Sequence, residues 1–144
     1  MQTVEDDDGA RYLLLKRSDE SSLVRDPETG AERYVGTDDL SPVEGVSALE
    51  TAAREVDEPI RRLLSAVHDD RTLGLLLVLD ARGPLAVREL LAFDTLCESD
   101  FHGTVAELRA AGLLEECEIA GERGYGTTQL AAEALSSLRG SGGE

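Results

Sequence analysis

Ser99, His102, Gly103, Thr104 and Glu107 turn outward if residues 99–111 are helical, because Phe101, Val105 and Leu108 then share the inward stripe. His102 can donate to a base edge or a phosphate. Thr104 can meet a phosphate or a thymine methyl, and Gly103 would let backbone come close to a duplex. Plainer readings stand beside these: a surface histidine without a role, and a glycine serving a close helix–helix contact. Four arginines could neutralise phosphate. Arg82 precedes a Gly-Pro turn and Arg88 falls in a short helix. Arg109 lies further along the 99–111 helix, where an ion pair with Glu107 or its neighbours is the other reading. Arg123 falls between Gly121 and Gly124 at the tip of a hairpin, placed either to reach a minor groove or to be solvated there. Tyr125 suits the hairpin's core better than base stacking.

Other chemistry finds little support. The chain has no GxSxG, P-loop or HExxH pattern. The stretch from Gly121 to Gly124 is too short for a dinucleotide loop. The pairs Asp38-Asp39 and Asp69-Asp70 are background in a chain with 30 acidic residues. No enzymatic activity and no cofactor is expected. Cys97 and Cys117 are 20 residues apart, with only His68 and His102 as further soft ligands. Without CxxC or HxxxH spacing, no metal is expected. Two ordinary thiols in a reducing compartment is one reading, and a redox-sensing pair the other.

The charge balance is 30 acidic against 14 basic residues, a net of −16, and Lys16 is the single lysine. The acids are scattered between apolar segments, which points to a folded chain with an acidic surface. Residues 58–144 carry 15 acids against 8 arginines, where a phosphate binder at ordinary ionic strength would show a basic patch. At molar salt the Debye length is about 3 Å and self-repulsion is screened. The longest apolar run, Leu75 to Leu79, ends at Asp80 and falls far short of the roughly 20 residues that span a bilayer. The acidic start MQTVEDDD does not resemble a signal peptide. A soluble, cytoplasmic protein without membrane association is expected.

The elements that must position these side chains are legible in outline. Residues 2–5, 12–17, 22–25 and 32–35 read as strands separated by the turns 6–9, 18–21 and 26–30, giving an antiparallel meander of three or four strands over residues 1–40. Such a sheet must lay one face on the helical part or on a partner chain. Residues 36–47 read as linker. Ser47 can cap a helix through Val56, with Glu50 at the capping-box position, and a second helix restarts at Pro59, so residues 41–69 are linker and connecting helices. Residues 70–139 then run helix 72–82 with a Gly83-Pro84 stop, helix 86–93, a tight connection 94–97, a helix capped by Ser99, strand 113–119, turn 120–124, strand 125–128 and helix 129–138. The tail, residues 140–144, reads as disordered.

The segment "LRAAGLLEE", residues 108–116, resembles the end of a recognition helix entering the wing in MarR, ArsR and PadR-type winged-helix families. "GERGYGTTQLAAEAL", residues 121–135, resembles the wing tip, return strand and following helix. With "DARGPLAVREL", "CESDFHGTVAELRAAGLL" and the meander "YLLLKRS…LVRDPETGAERYV", nearly the whole chain resembles winged helix-turn-helix proteins of halophilic archaea. The composition fits those salt-in organisms too. The resemblance implies an α+β fold with an N-terminal antiparallel β-meander, connecting helices and a C-terminal winged helix-turn-helix. It implies a transcriptional regulator that binds double-stranded DNA as a homodimer, with an interface from residues 48–68 or 129–138. The implied contact residues are Ser99, His102, Gly103, Thr104, Arg109, Arg123, Arg88 and Arg82. The alternative is an adaptor that docks protein through the winged helix. A small-molecule sensor would need a cavity between meander and helices.

Overall fold

Aspartates at the turns organise the first part of the chain. The Asp6 carboxylate accepts the N–H groups of Asp8 and Ala10, both at 2.9 Å, and the Asp26 carboxylate accepts that of Glu28 at 2.8 Å. Each folds the backbone back on itself and pairs the strands either side. The computed structural model describes residues 1–93 and 97–140, in two compact units divided after Glu58. That division falls within the 41–69 stretch expected to connect the meander to the rest.

In the N-terminal unit, β1 (Gln2–Glu5), β2 (Arg11–Arg17), β3 (Ser21–Arg25), β4 (Glu32–Gly36) and β5 (Ser41–Pro42) form one antiparallel sheet in the order β4-β3-β2-β1-β5. Val4, Tyr12, Leu14 and Val24 are its buried apolar cluster. The expected linker 36–47 contains a 3₁₀ turn, Thr37–Asp39, and the short β5, so the meander gains a fifth strand. Val35 and Leu40 pack against that cluster, and the opposite face, with Thr3 and Leu13, takes α1 (Ala48–Ala52) within this unit. On α1, the buried Thr51 hydroxyl meets that of Thr3 at 2.7 Å. Ser47 caps α1 as expected, accepting from the N–H groups of Leu49 and Glu50. The helix does not run to Val56. It tightens into a 3₁₀ turn over Ala53–Glu55, where Glu55 pairs with Arg25 at 2.8 Å.

The C-terminal unit follows from α2 (Glu58–Ala66), whose Leu63 and Ala66 are buried. Next come α3 (Asp70–Arg82), β6 (Leu85–Ala86), α4 (Val87–Ala92), α5 (Glu98–Ala110), β7 (Leu114–Ile119), β8 (Glu122–Thr127) and α6 (Gln129–Gly140). Helices α3, α4 and α5 followed by the β7–β8 hairpin make a winged helix-turn-helix, and the whole is an α+β protein. The tight connection expected over 94–97 and the tail expected over 140–144 lie largely outside the described residues. Asp69 caps α3 through the Thr72 N–H at 2.8 Å, so α3 starts two residues before the expected 72. Leu76, Leu79, Leu108, Leu113 and Leu135 are all but fully buried and weld α3, α5 and α6 into one core. Thr128 ties the base of the wing. Its hydroxyl donates to the Gly112 carbonyl at 2.6 Å and accepts the Ala131 N–H at 3.2 Å, capping α6.

The wing departs from the expected five-residue turn over 120–124. Its tip is two residues, Ala120 and Gly121, with φ of 52° and 84°, as a hairpin of right-handed twist requires. Gly124 serves a different purpose. β8 is the centre of the sheet β6-β8-β7, and a Cβ at Gly124 would lie 2.6 Å from the Leu85 carbonyl oxygen and 2.7 Å from Ile119 Cδ1. Gly124→Ala is therefore expected to cost roughly 1–3 kcal/mol of stability by overpacking against backbone. Ala120→Gly relieves a left-handed alanine and should gain about 1 kcal/mol. Denaturant unfolding of both variants checks the pair of signs.

Candidate nucleic-acid interface

Helix α5 is two-sided because its apolar residues recur at helical spacing. Phe101, Val105 and Leu108 are buried, while Ser99, His102, Gly103, Ala106, Glu107 and Arg109 are exposed and Thr104 is half-buried. Tyr125 of β8 meets Phe101 edge-on, with ring centroids 6.5 Å apart, so it is wing core as expected. The helix begins two residues earlier than the Ser99 cap implied. Cys97 occupies the N-cap position without a side-chain cap, and its carbonyl accepts the Phe101 N–H at 3.0 Å. Ser99 sits in the first turn, its hydroxyl 3.2 Å from the Cys97 sulfur. Glu98 and Asp100 share that turn, where negative charge complements the helix dipole.

The individual contacts redraw several expectations. His102 Nε2 lies 3.8 Å from Glu98 on the exposed side of α5. A Cβ on Gly103 would meet nothing within 4 Å, so no helix–helix contact accounts for it. Arg109 does form a surface ion pair, but with Glu116 of β7 at 3.5 Å and not with Glu107, which lies 3.7 Å from His68. Its guanidinium stands over the Tyr125 ring at 5.9 Å. Arg123 is not at the wing tip. It lies within β8 opposite Glu118, and reaches diagonally to Glu116 at 3.9 Å. Arg88 of α4 binds Glu122 of β8 at 2.9 Å. Arg82, at the end of α3, stacks over Phe93 at 5.4 Å.

The structure thus gathers Arg109 and Arg123 around Glu116 and Tyr125, holds Arg88 at the outer end of the same hairpin, and leaves Arg82 on Phe93. Of the four arginines that could neutralise phosphate, Arg88, Arg109 and Arg123 each stand beside a glutamate. Reasoning from sequence missed Glu116 as the bridging carboxylate. The signal was present in strand alternation, which puts Glu116, Glu118, Arg123 and Tyr125 on one face of the hairpin.

Among the described residues two groups titrate away from their ordinary values. The Thr72 backbone N–H, then its hydroxyl, hold the Asp69 carboxyl below the usual carboxylate range. Burial, then Glu115 and Glu116, push the Cys117 thiol up, so it stays a thiol at neutral pH. Among the described residues no group of three or more His, Cys, Asp or Glu side chains could hold a metal ion, and no helix is long and apolar enough to cross a membrane.

Because Asp69 is more acidic folded than unfolded, its cap contributes fully above the ordinary carboxylate range. The contribution fades as pH falls through the lowered folded value. Thermal unfolding across acidic pH should show Asp69→Ala converging with wild type at the acid end and falling below it towards neutrality. Parallel curves would mean that the cap is not coupled to the proton.

Residues 1–139 match the model of a family described as a family of unknown function (DUF7346). Among solved structures, the transcriptional regulator HlyU from Vibrio vulnificus CMCP6 is similar at 30% identity, covering 55% of this chain and 85% of HlyU with a TM-score of 0.44. An ArsR family transcriptional regulator is similar at 18% identity, over 60% of this chain and 89% of its own, with a TM-score of 0.46. No curated protein matches the chain.

Proposed function

This chain belongs to the family of unknown function DUF7346, and from that premise we propose that it is a DNA-binding transcriptional regulator of winged-helix type, working as a homodimer in the salt-rich cytoplasm of a halophile. The observation that carries the reading is the two-sided build of α5, sealed along Phe101, Val105 and Leu108 and open along Ser99, His102 and Gly103. A helix so braced, with a hairpin beside it, has the geometry that enters a major groove. In this reading Ser99, His102, Gly103 and Thr104 meet bases or backbone, and Arg88, Arg109 and Arg123 meet phosphates, with Arg82 at the margin. The arginine–glutamate pairs are exposed and worth about 0–1 kcal/mol each, so a phosphate can take an arginine from its glutamate. The acidic surface and single lysine suit molar salt, where counterion release contributes little and hydrogen bonding at close range must suffice. Dimerisation through helices of residues 48–68 or 129–138 would match palindromic half-sites. Leu64 and Leu138 are exposed in those segments.

The same ion pairs favour a second reading. With Arg88, Arg109 and Arg123 each on a glutamate, α5 and the hairpin present a neutralised surface suited to docking a protein.

Selection of bound duplexes from a random pool, repeated at low and molar KCl, separates the two. The regulator reading expects an enriched motif, and about tenfold weaker binding of it by His102→Ala or Thr104→Ala. Glu116→Gln should tighten binding about threefold by releasing Arg109 and Arg123. A pool that emerges unenriched at every salt concentration would hand the surface to a protein partner.

A further inference from the structure

Gly74 of α3 and Gly103 of α5 line one open groove of about 630 Å³. Glycine is a poor residue for a helix interior, and packing forces it on neither position: a Cβ there would meet no heavy atom within 4 Å. The missing side chains widen the groove. Its floor is apolar, made by Leu75, Val78, Leu90 and the half-exposed Phe93. Its rim sets Asp69, Asp100 and Glu107 against Arg71, and Arg82 stands over the Phe93 ring. Asp69 is committed to its cap and Glu107 lies near His68. Among the described residues Asp100 has neither a cap nor an ion pair. A concave site of this volume, with an apolar floor and a few charged groups at its mouth, has the form of a small-molecule site. The floor selects an apolar body, and the excess of carboxylate selects a positive charge while opposing an anion.

We propose that this groove binds an organic cation with a compact apolar body, its charge at Asp100 and its body on Phe93 and Leu75. Ser99, Gly103 and Thr104 line the groove from α5. On the reading of α5 as the DNA-reading helix, cation and duplex therefore compete for one face.

Tetraphenylphosphonium and tetraphenylborate share a shape and differ in the sign of charge. Calorimetric titration of each into the full chain, in the lowest salt at which circular dichroism shows the fold intact, tests the site without DNA. The phosphonium should bind about tenfold more tightly than the borate. Gly74→Leu should weaken phosphonium binding about tenfold with no loss of thermal stability, and Asp100→Asn about threefold. Gly74→Ala, one methyl, serves should leucine unfold α3. Borate binding as tight as phosphonium, or Gly74 variants that fold and bind undiminished, would overturn the site. Adding the selected duplex separates the two proposals. A chain that binds the phosphonium but no duplex loses the regulator reading and keeps the groove. One that binds duplex but no phosphonium loses the groove and keeps the regulator. Both ligands bound at once would overturn the competition.

Discussion

Burial of Phe101, Val105 and Leu108 along one stripe of α5 is the contact from which the rest of the C-terminal unit takes its arrangement. It seats the helix on Leu76 and Leu79 of α3 within a common core, and so decides which residues of α5 meet solvent. It also places the wing. Phe101 offers its ring edge to Tyr125, and Leu113, directly after α5, is buried in the same core. Thr128 then joins the end of β8 to the chain that leaves α5 and starts α6. Helix α5, wing and final helix are positioned by one apolar stripe and one threonine.

Much of this was legible because it depends on neighbours in sequence. Asp6 and Asp26 mark turns by chemistry local to four residues, and the spacing of apolar residues marks the helices. The failures share a different cause. Gly121 and Gly124 look alike in a sequence, yet one supplies a left-handed turn and the other makes room for the Leu85 carbonyl. Reading both as turn residues put Arg123 at the tip, when it belongs to β8. The strands β5 and β6 are two residues each, too short to carry a pattern, and exist through partners far along the chain. Ser99 looked like a cap because serine favours that position, but the helix takes its first hydrogen bond from Cys97. Periodicity marked Ser99, His102, Gly103 and Glu107 on the outward face of α5, where they are exposed, while Thr104 is half-buried. The partners of the arginines were not legible, since register between α5 and the hairpin is set in three dimensions.

The distribution of charge over α5 and the wing is finer than the net charge suggests. Glutamates stand beside arginines at single-residue resolution: Glu116 serves both Arg109 and Arg123, and Glu122 serves Arg88. These pairs are exposed and individually weak. They restrain the arginines near the hairpin without burying them. At the other side of α5, Asp69 and Asp100 border the groove with fewer cations near them, so one helix separates a balanced surface from an acidic one.

The sheet order β6-β8-β7 leaves β7 outermost, with one row of backbone donors and acceptors that another chain could extend. Such an edge is a template for aggregation unless something discourages pairing. In β7 the residues Glu115, Glu116 and Glu118 put negative charge on both faces of the strand, so a second copy laid alongside would bring like charges together. The acid that dilutes the arginines of the wing thereby guards its open flank against self-assembly.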